Sequence, residues 1–148
     1  MSLQLPSSEY VEAGIDEVGR GCLFGDVVTA AVILPRDFPD DTWKQIKDSK
    51  KLSKKKREEL ASYIKTHAIA YAIGSATPEE IDQMNILQAT MCAMHRACDK
   101  LWEQHAFQKL MVDGNYFKRY PREGCQHELV KGGDNKVLSI AAASILAK

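Results

Sequence analysis

Two short apolar runs near the start of the chain, Tyr10–Asp16 and Val27–Leu34, place the strongest constraint on its fold. Both have strand length, and the second is rich in Val and Ala and closes at Pro35. The glycine-containing link between them suits a hairpin. After this pair the pattern alternates. Ser53 can cap a helix running to about His67, with Lys54–Glu58 and Lys55–Glu59 at i,i+4 spacing. Ala68–Ser75 reads as a third strand. Thr77-Pro78-Glu79-Glu80 is a capping box with proline at the first helical position. One long core helix is expected to follow, because Ile81, Met84, Leu87, Met91, Met94, Cys98 and Leu101 recur every three or four residues. Lys109–Val112 reads as a buried strand ending at Asp113, Glu128–Lys131 as another, and Ser139–Ala147 as an alanine-rich helix. A hairpin followed by alternating helices and strands implies an α/β fold, a mixed β-sheet flanked by α-helices. The 148 residues fit one domain, 1–148, with room for a core.

Carboxylates cluster at the ends of these runs. Asp16-Glu17 ends the first strand in Gly14-Ile15-Asp16-Glu17-Val18-Gly19-Arg20-Gly21. Asp113 ends a later strand in Val112-Asp113-Gly114-Asn115, and Asp134 follows a glycine turn in Lys131-Gly132-Gly133-Asp134. Taken singly, Asp16-Glu17 is a solvated strand end, Asp113-Gly114-Asn115 an ordinary turn, and Asp134 a helix cap. Taken together they are acids at strand ends of an α/β sheet, where ligand sites gather. Four carboxylates without Cys or His form a hard, all-oxygen ligand set that suits Mg²⁺ or Mn²⁺ and disfavours Zn²⁺. Two divalent ions would balance the four charges, an arrangement suited to phosphoryl transfer. A Mg²⁺-dependent phosphatase or phosphotransferase remains open on these residues alone.

Other features set bounds. Net charge is +0, so any nucleic-acid partner must be held by a local patch. Lys44, Lys47, Lys50, Lys51, Lys54, Lys55, Lys56 and Arg57 form such a cluster, readable as a solvated face or as phosphate contacts. Cys22, Cys92, Cys98 and Cys125 lack metal-type spacing and read as free thiols in a reducing, cytoplasmic setting. Neither a signal peptide nor a membrane-spanning run is evident. Trp43 and Trp102 read as packing residues, and the four histidines show no ligand spacing.

The run Gly14–Gly21 resembles the signature of the type 2 ribonucleases H, the ribonuclease HII family. Asp48-Ser49-Lys50-Lys51-Leu52-Ser53, Asn85–Met91, Val112–Asn115 and the stretch from Lys131-Gly132-Gly133-Asp134 to Lys148 are similar to further blocks in the same order. The resemblance implies a ribonuclease H-like fold and an endonuclease acting on RNA–DNA hybrids. It also implies cutting 5′ of single ribonucleotides in duplex DNA, leaving 3′-hydroxyl and 5′-phosphate ends, in DNA repair and replication, by a monomeric enzyme. Carried over, Asp16, Glu17, Asp113 and Asp134 are the catalytic, metal-binding carboxylates. Gly19, Arg20 and Gly21 would read the ribose 2′-hydroxyl, which distinguishes RNA from DNA. Lys50 is the favoured phosphate contact, with Asn115 and Ser144 as further substrate-binding candidates. The sequence departs from the family's usual pattern at Cys22, where proline is common. Family members also continue beyond the position of Lys148, so the chain is expected to be an abridged form, with weak or absent cleavage and retained hybrid binding as the alternative outcome.

Overall fold

The structure, a computed structural model, describes residues 3–18 and 25–148. Its strands are β1 (Glu12–Val18), β2 (Val27–Ile33), β3 (Ala70–Ala76), β4 (Lys109–Asp113) and β5 (Gln126–Val130). Its helices are α1 (Lys54–His67), α2 (Pro78–Met84), α3 (Ile86–Gln104) and α4 (Leu138–Ala147). The strands form one sheet in the order β3-β2-β1-β4-β5. β1 and β3 pair antiparallel with β2, while β4 runs parallel to β1 and β5 parallel to β4. The expected hairpin and mixed sheet are therefore present.

Period-two alternation divides the core between two faces. On one face Ala13, Ile15, Ala31 and Ile33 pack against Met91, Met94, Cys98 and Leu101 of α3. On the other, Ala30, Val32 and Leu34 pack with Leu60 and Ile64 of α1 and with α4. Every residue of α4 is buried, because it lies between the sheet and α1. Its run of small and aliphatic side chains is the composition such a sandwiched helix requires.

Two glycines let helices sit directly on the sheet. A Cβ on Gly14 would lie 2.2 Å from the backbone carbon of Ser139 in α4. One on Gly74 would lie 2.2 Å from the carbonyl oxygen of Ala93 in α3. Beside Gly74 the buried Thr29 hydroxyl is within hydrogen-bonding distance of both Ala93 O, at 2.8 Å, and Gly74 O, at 3.2 Å. Strand and helix are thus tied where their backbones come closest.

The single long helix expected after Thr77 is instead two. Asn85 adopts φ 91° and divides them. Its N–H donates to Ile81 O, closing α2, and its side-chain oxygen accepts from Gln88 N at 3.0 Å, opening α3. A local side-chain bond of this kind competes with helix continuation, and asparagine tolerates positive φ better than most residues. The apolar stripe crosses the break, so its periodicity conceals it. The capping box at Thr77 and Glu80 forms as expected. On α1 the observed ion pair is Lys56–Glu59 at 3.7 Å rather than an i,i+4 pair. β5 starts two residues before its expected position and ends one earlier.

Gly14→Ala should destabilise the fold by about 3 kcal/mol, because the methyl group meets backbone rather than a movable side chain. Urea unfolding of the variant measures this. A cost within about 0.5 kcal/mol, typical of surface substitutions, would contradict the close seating of α4.

Candidate functional site

The site forms where β1 runs past the end of β4. The parallel pairing of these strands stops at Ile15–Val112, while β1 continues beside β2 to Val18. Asp16 is the first residue of β1 beyond that pairing, and Asp113 is the last residue of β4. Asp134 lies in a short 3-10 turn, Gly133–Asn135, between β5 and α4. The N-cap of α4 is Val137, so Asp134 does not cap that helix. Gly133 N–H donates to Asp113 Oδ1 at 2.9 Å and fastens the turn to the strand end.

Asp16, Asp113 and Asp134 each present a carboxylate oxygen within 4.8 Å of the others'. Glu17 lines the same cavity, which has a volume of about 280 Å³ and is also walled by Ser49, Lys50 and Ser144. Three of the four expected carboxylates therefore meet directly, and the fourth borders their cavity. Asp16 and Asp134 are 5% and 6% exposed, a heavily desolvated setting for acids.

That desolvation dominates the electrostatics. Burial pushes the Asp16 carboxyl up to about 9, and the charges of Glu17 and Asp113 push in the same direction. Burial also raises Asp113, partly offset by the Gly133 N–H bond, with Glu17 adding repulsion. Asp134 is raised by burial, then by Asp113 and Asp48. Lys50 provides a nearby countercharge, with Nζ 3.7 Å from both Asp134 Oδ2 and Asp48 Oδ2. Its own pKa rises through these two acids, Asp134 first. Its side chain is 70% exposed, so solvent weakens the compensation.

Asp48 is the residue that sequence reading undervalued. It is 3% exposed, faces Asp134, and accepts from Lys50 N at 3.0 Å. Its signal was an acid standing alone within a basic run, read only as part of the Asp-Ser-Lys block. Ser49 N donates to Ser144 Oγ at 3.3 Å, and Ser144 Oγ donates to Ala141 O at 2.8 Å. Ser144 thus ties the lysine-bearing turn to α4. Asn115 is exposed on the bend after β4 and is not part of the cavity wall. Gly19, Arg20 and Gly21 lie outside the described residues.

A hard, acidic, partly dehydrated oxygen cluster of this kind has the donor chemistry of a divalent-cation site. The ribonuclease HII family model matches residues 13–148, which include every one of these side chains. The chain belongs to the ribonuclease HII family. Members of this family are metal-dependent endoribonucleases that act on RNA–DNA hybrids. The ribonuclease HII of Bacteroides fragilis is 52% identical over 148 residues, covering 100% of this chain and 70% of that protein. Among solved structures, the ribonuclease H2 of Pyrococcus horikoshii matches with a TM-score of 0.75 and 28% identity, over 92% of this chain and 69% of that one. The ribonuclease HII of Archaeoglobus fulgidus, solved in complex with PCNA, matches with a TM-score of 0.69 and 30% identity, over 93% of this chain and 70% of that one. The sheet order and flanking helices of this chain are thus a ribonuclease H-type fold. Among the described residues no helix is long and apolar enough to cross a membrane.

Without divalent ions, ionising Asp16 opposes folding increasingly as pH rises from about 4 to about 9, the interval between its ordinary and folded values. The acid is neutral in both states below this window, so the penalty is absent there and complete above it. In EDTA the melting temperature should fall across the window. Asp16→Asn should melt about 3 °C or more above the original chain at pH 8. Scanning calorimetry checks both, and a variant that melts lower at pH 8 would contradict the electrostatic account.

Proposed function

We propose that residues 1–148 form a single catalytic domain that hydrolyses the RNA strand of RNA–DNA hybrids and cuts 5′ of single ribonucleotides embedded in duplex DNA. The supporting observation is the convergence of Asp16, Asp113 and Asp134 within 4.8 Å, in a chain of the ribonuclease HII family. In this reading Asp16, Glu17, Asp113 and Asp134 hold two divalent cations, Mg²⁺ or Mn²⁺. The cluster fits such ions: its donors are all oxygen, and burial makes their ionised forms costly until a cation is present. When bound, the ions would lower the pKa of an attacking water and stabilise charge on the departing 3′-oxygen.

The protein's own residues provide placement. The Gly133 N–H bond fixes one oxygen of Asp113, leaving the other available to a ligand. Lys50 lines the cavity with a side chain that is 70% exposed, so it can exchange Asp134 for a substrate phosphate. Water attack on phosphorus with loss of the 3′-oxygen leaves a 3′-hydroxyl and a 5′-phosphate. No nucleophilic role then falls to the 2′-hydroxyl, which is free to serve recognition. Gly19, Arg20 and Gly21 are the proposed readers of that group, largely through the backbone.

Asp113→Asn should reduce Mg²⁺-dependent cleavage of a hybrid by about a thousandfold or more. The fold should persist, because an amide oxygen can still accept from Gly133 N. Gel-resolved cleavage and circular dichroism test the two parts. Cleavage by the variant at the original rate would overturn the assignment. Hybrid binding by the unaltered chain without any Mg²⁺-dependent cutting would assign it a binding role instead.

A further inference from the structure

Eight of the chain's twenty Lys and Arg residues fall between 42 and 57, with one acid among them, Asp48. Asp48 is buried, so the exposed surface of this segment is cationic although the whole chain has a net charge of +0. The fold divides these cations by position. Lys50 enters the carboxylate cavity, while Lys56 is paired with Glu59 and Arg57 donates to Leu52 O. Lys44, Lys47 and Lys51 line a separate groove of about 570 Å³ beside Trp43 and Asn135. Asp134 borders both this groove and the catalytic cavity, so the two are adjoining.

We propose that this groove binds backbone phosphates of the nucleic acid on one flank of the scissile position. The proposal rests on the nuclease reading above and extends it to a subsite outside the carboxylate cluster. Phosphates are favoured over bases by the state of Trp43. Its ring stacks on Phe38 at 5.6 Å and has Lys44 Nζ 5.9 Å from its centroid. Phe38 in turn stacks on Tyr63 at 6.0 Å, so the indole terminates a packed aromatic row rather than offering an open stacking platform. Lys44 contacts Asp41 at 3.4 Å, with both side chains well exposed. Such a pair is weak and exchanges readily for a phosphate. Continuity with the carboxylate cavity provides the occupant: a strand whose phosphate reaches Asp134's neighbourhood carries further phosphates outward, and the adjoining wall supplies three ammonium groups.

The test is fluorescence anisotropy of a labelled RNA–DNA hybrid in EDTA across a salt series, using the full chain. Combined K44Q, K47Q and K51Q substitutions should raise Kd about tenfold or more at low salt. They should also reduce the slope of log K against log salt by about two to three, the expected loss of released counterions. The charge-reversed set K44E, K47E and K51E should weaken binding further. K65E and K118E, changes of the same charge placed elsewhere, should have less than half the effect on the slope. Mn²⁺ affinity by calorimetry should stay within about twofold, showing that the carboxylate cluster and fold persist. An unchanged slope in the triple variants, or an equal loss in the control variants, would overturn the groove assignment. Failure of the unaltered chain to cleave a hybrid in Mg²⁺ would count against the nuclease reading alone, because the anisotropy measurement requires no turnover.

Discussion

The contact between α4 and β1 at Gly14 determines where the acids meet. Gly14 and Asp16 are two residues apart on one strand, so they face the same side of the sheet. With no side chain at Gly14, the backbone of α4 at Ser139 and Ile140 comes down onto that face. Asp134 precedes α4 by one short turn and is carried with it. The seating of the helix therefore sets the separation between Asp134 and Asp16. Asp113 arrives from the neighbouring strand and is fastened to the same turn by Gly133 N–H. A glycine without chemistry of its own thus governs the geometry of the charged groups.

Bringing those groups together has an electrostatic cost. Burial, followed by repulsion from neighbouring carboxylates that include Glu17 and Asp48, raises all three aspartates, and the only cation within ion-pair distance of Asp134 among the described residues is Lys50, which is largely exposed. The apolar packing of α4 against β2 and α1 holds the acids in place despite that repulsion. Stability invested in one face of the sheet keeps an unfavourable charge cluster assembled, and a divalent ligand relieves it. This division between a supporting core and a strained polar end is common at functional sites.

Much of this was legible in the sequence. The hairpin, the alternation of elements and the Thr77 capping box follow from local chemistry, and Asp113 ends its strand as its context implies, whereas Asp16 lies two residues before the end of β1 and Asp134 in the turn between β5 and α4. The break at Asn85 was hidden because the apolar stripe continues across it, and only a positive φ with two local hydrogen bonds reveals it. Asp48 was hidden for a different reason. A charged residue in a charged run reads as solvated, and its burial against Asp134 depends on contacts distant in sequence. The division of the basic cluster between the carboxylate cavity and the groove likewise depends on how the short turns Thr42–Gln45 and Ser49–Lys51 place their lysines.

The most direct test of the central claim is an anomalous difference map from crystals of this chain grown with Mn²⁺. Anomalous density is expected between Asp16, Asp113 and Asp134, at about 2.1 Å from their carboxylate oxygens, a distance taken from Mg²⁺ coordination. Density bound elsewhere on the protein, with these three carboxylates left without an ion, would contradict that claim.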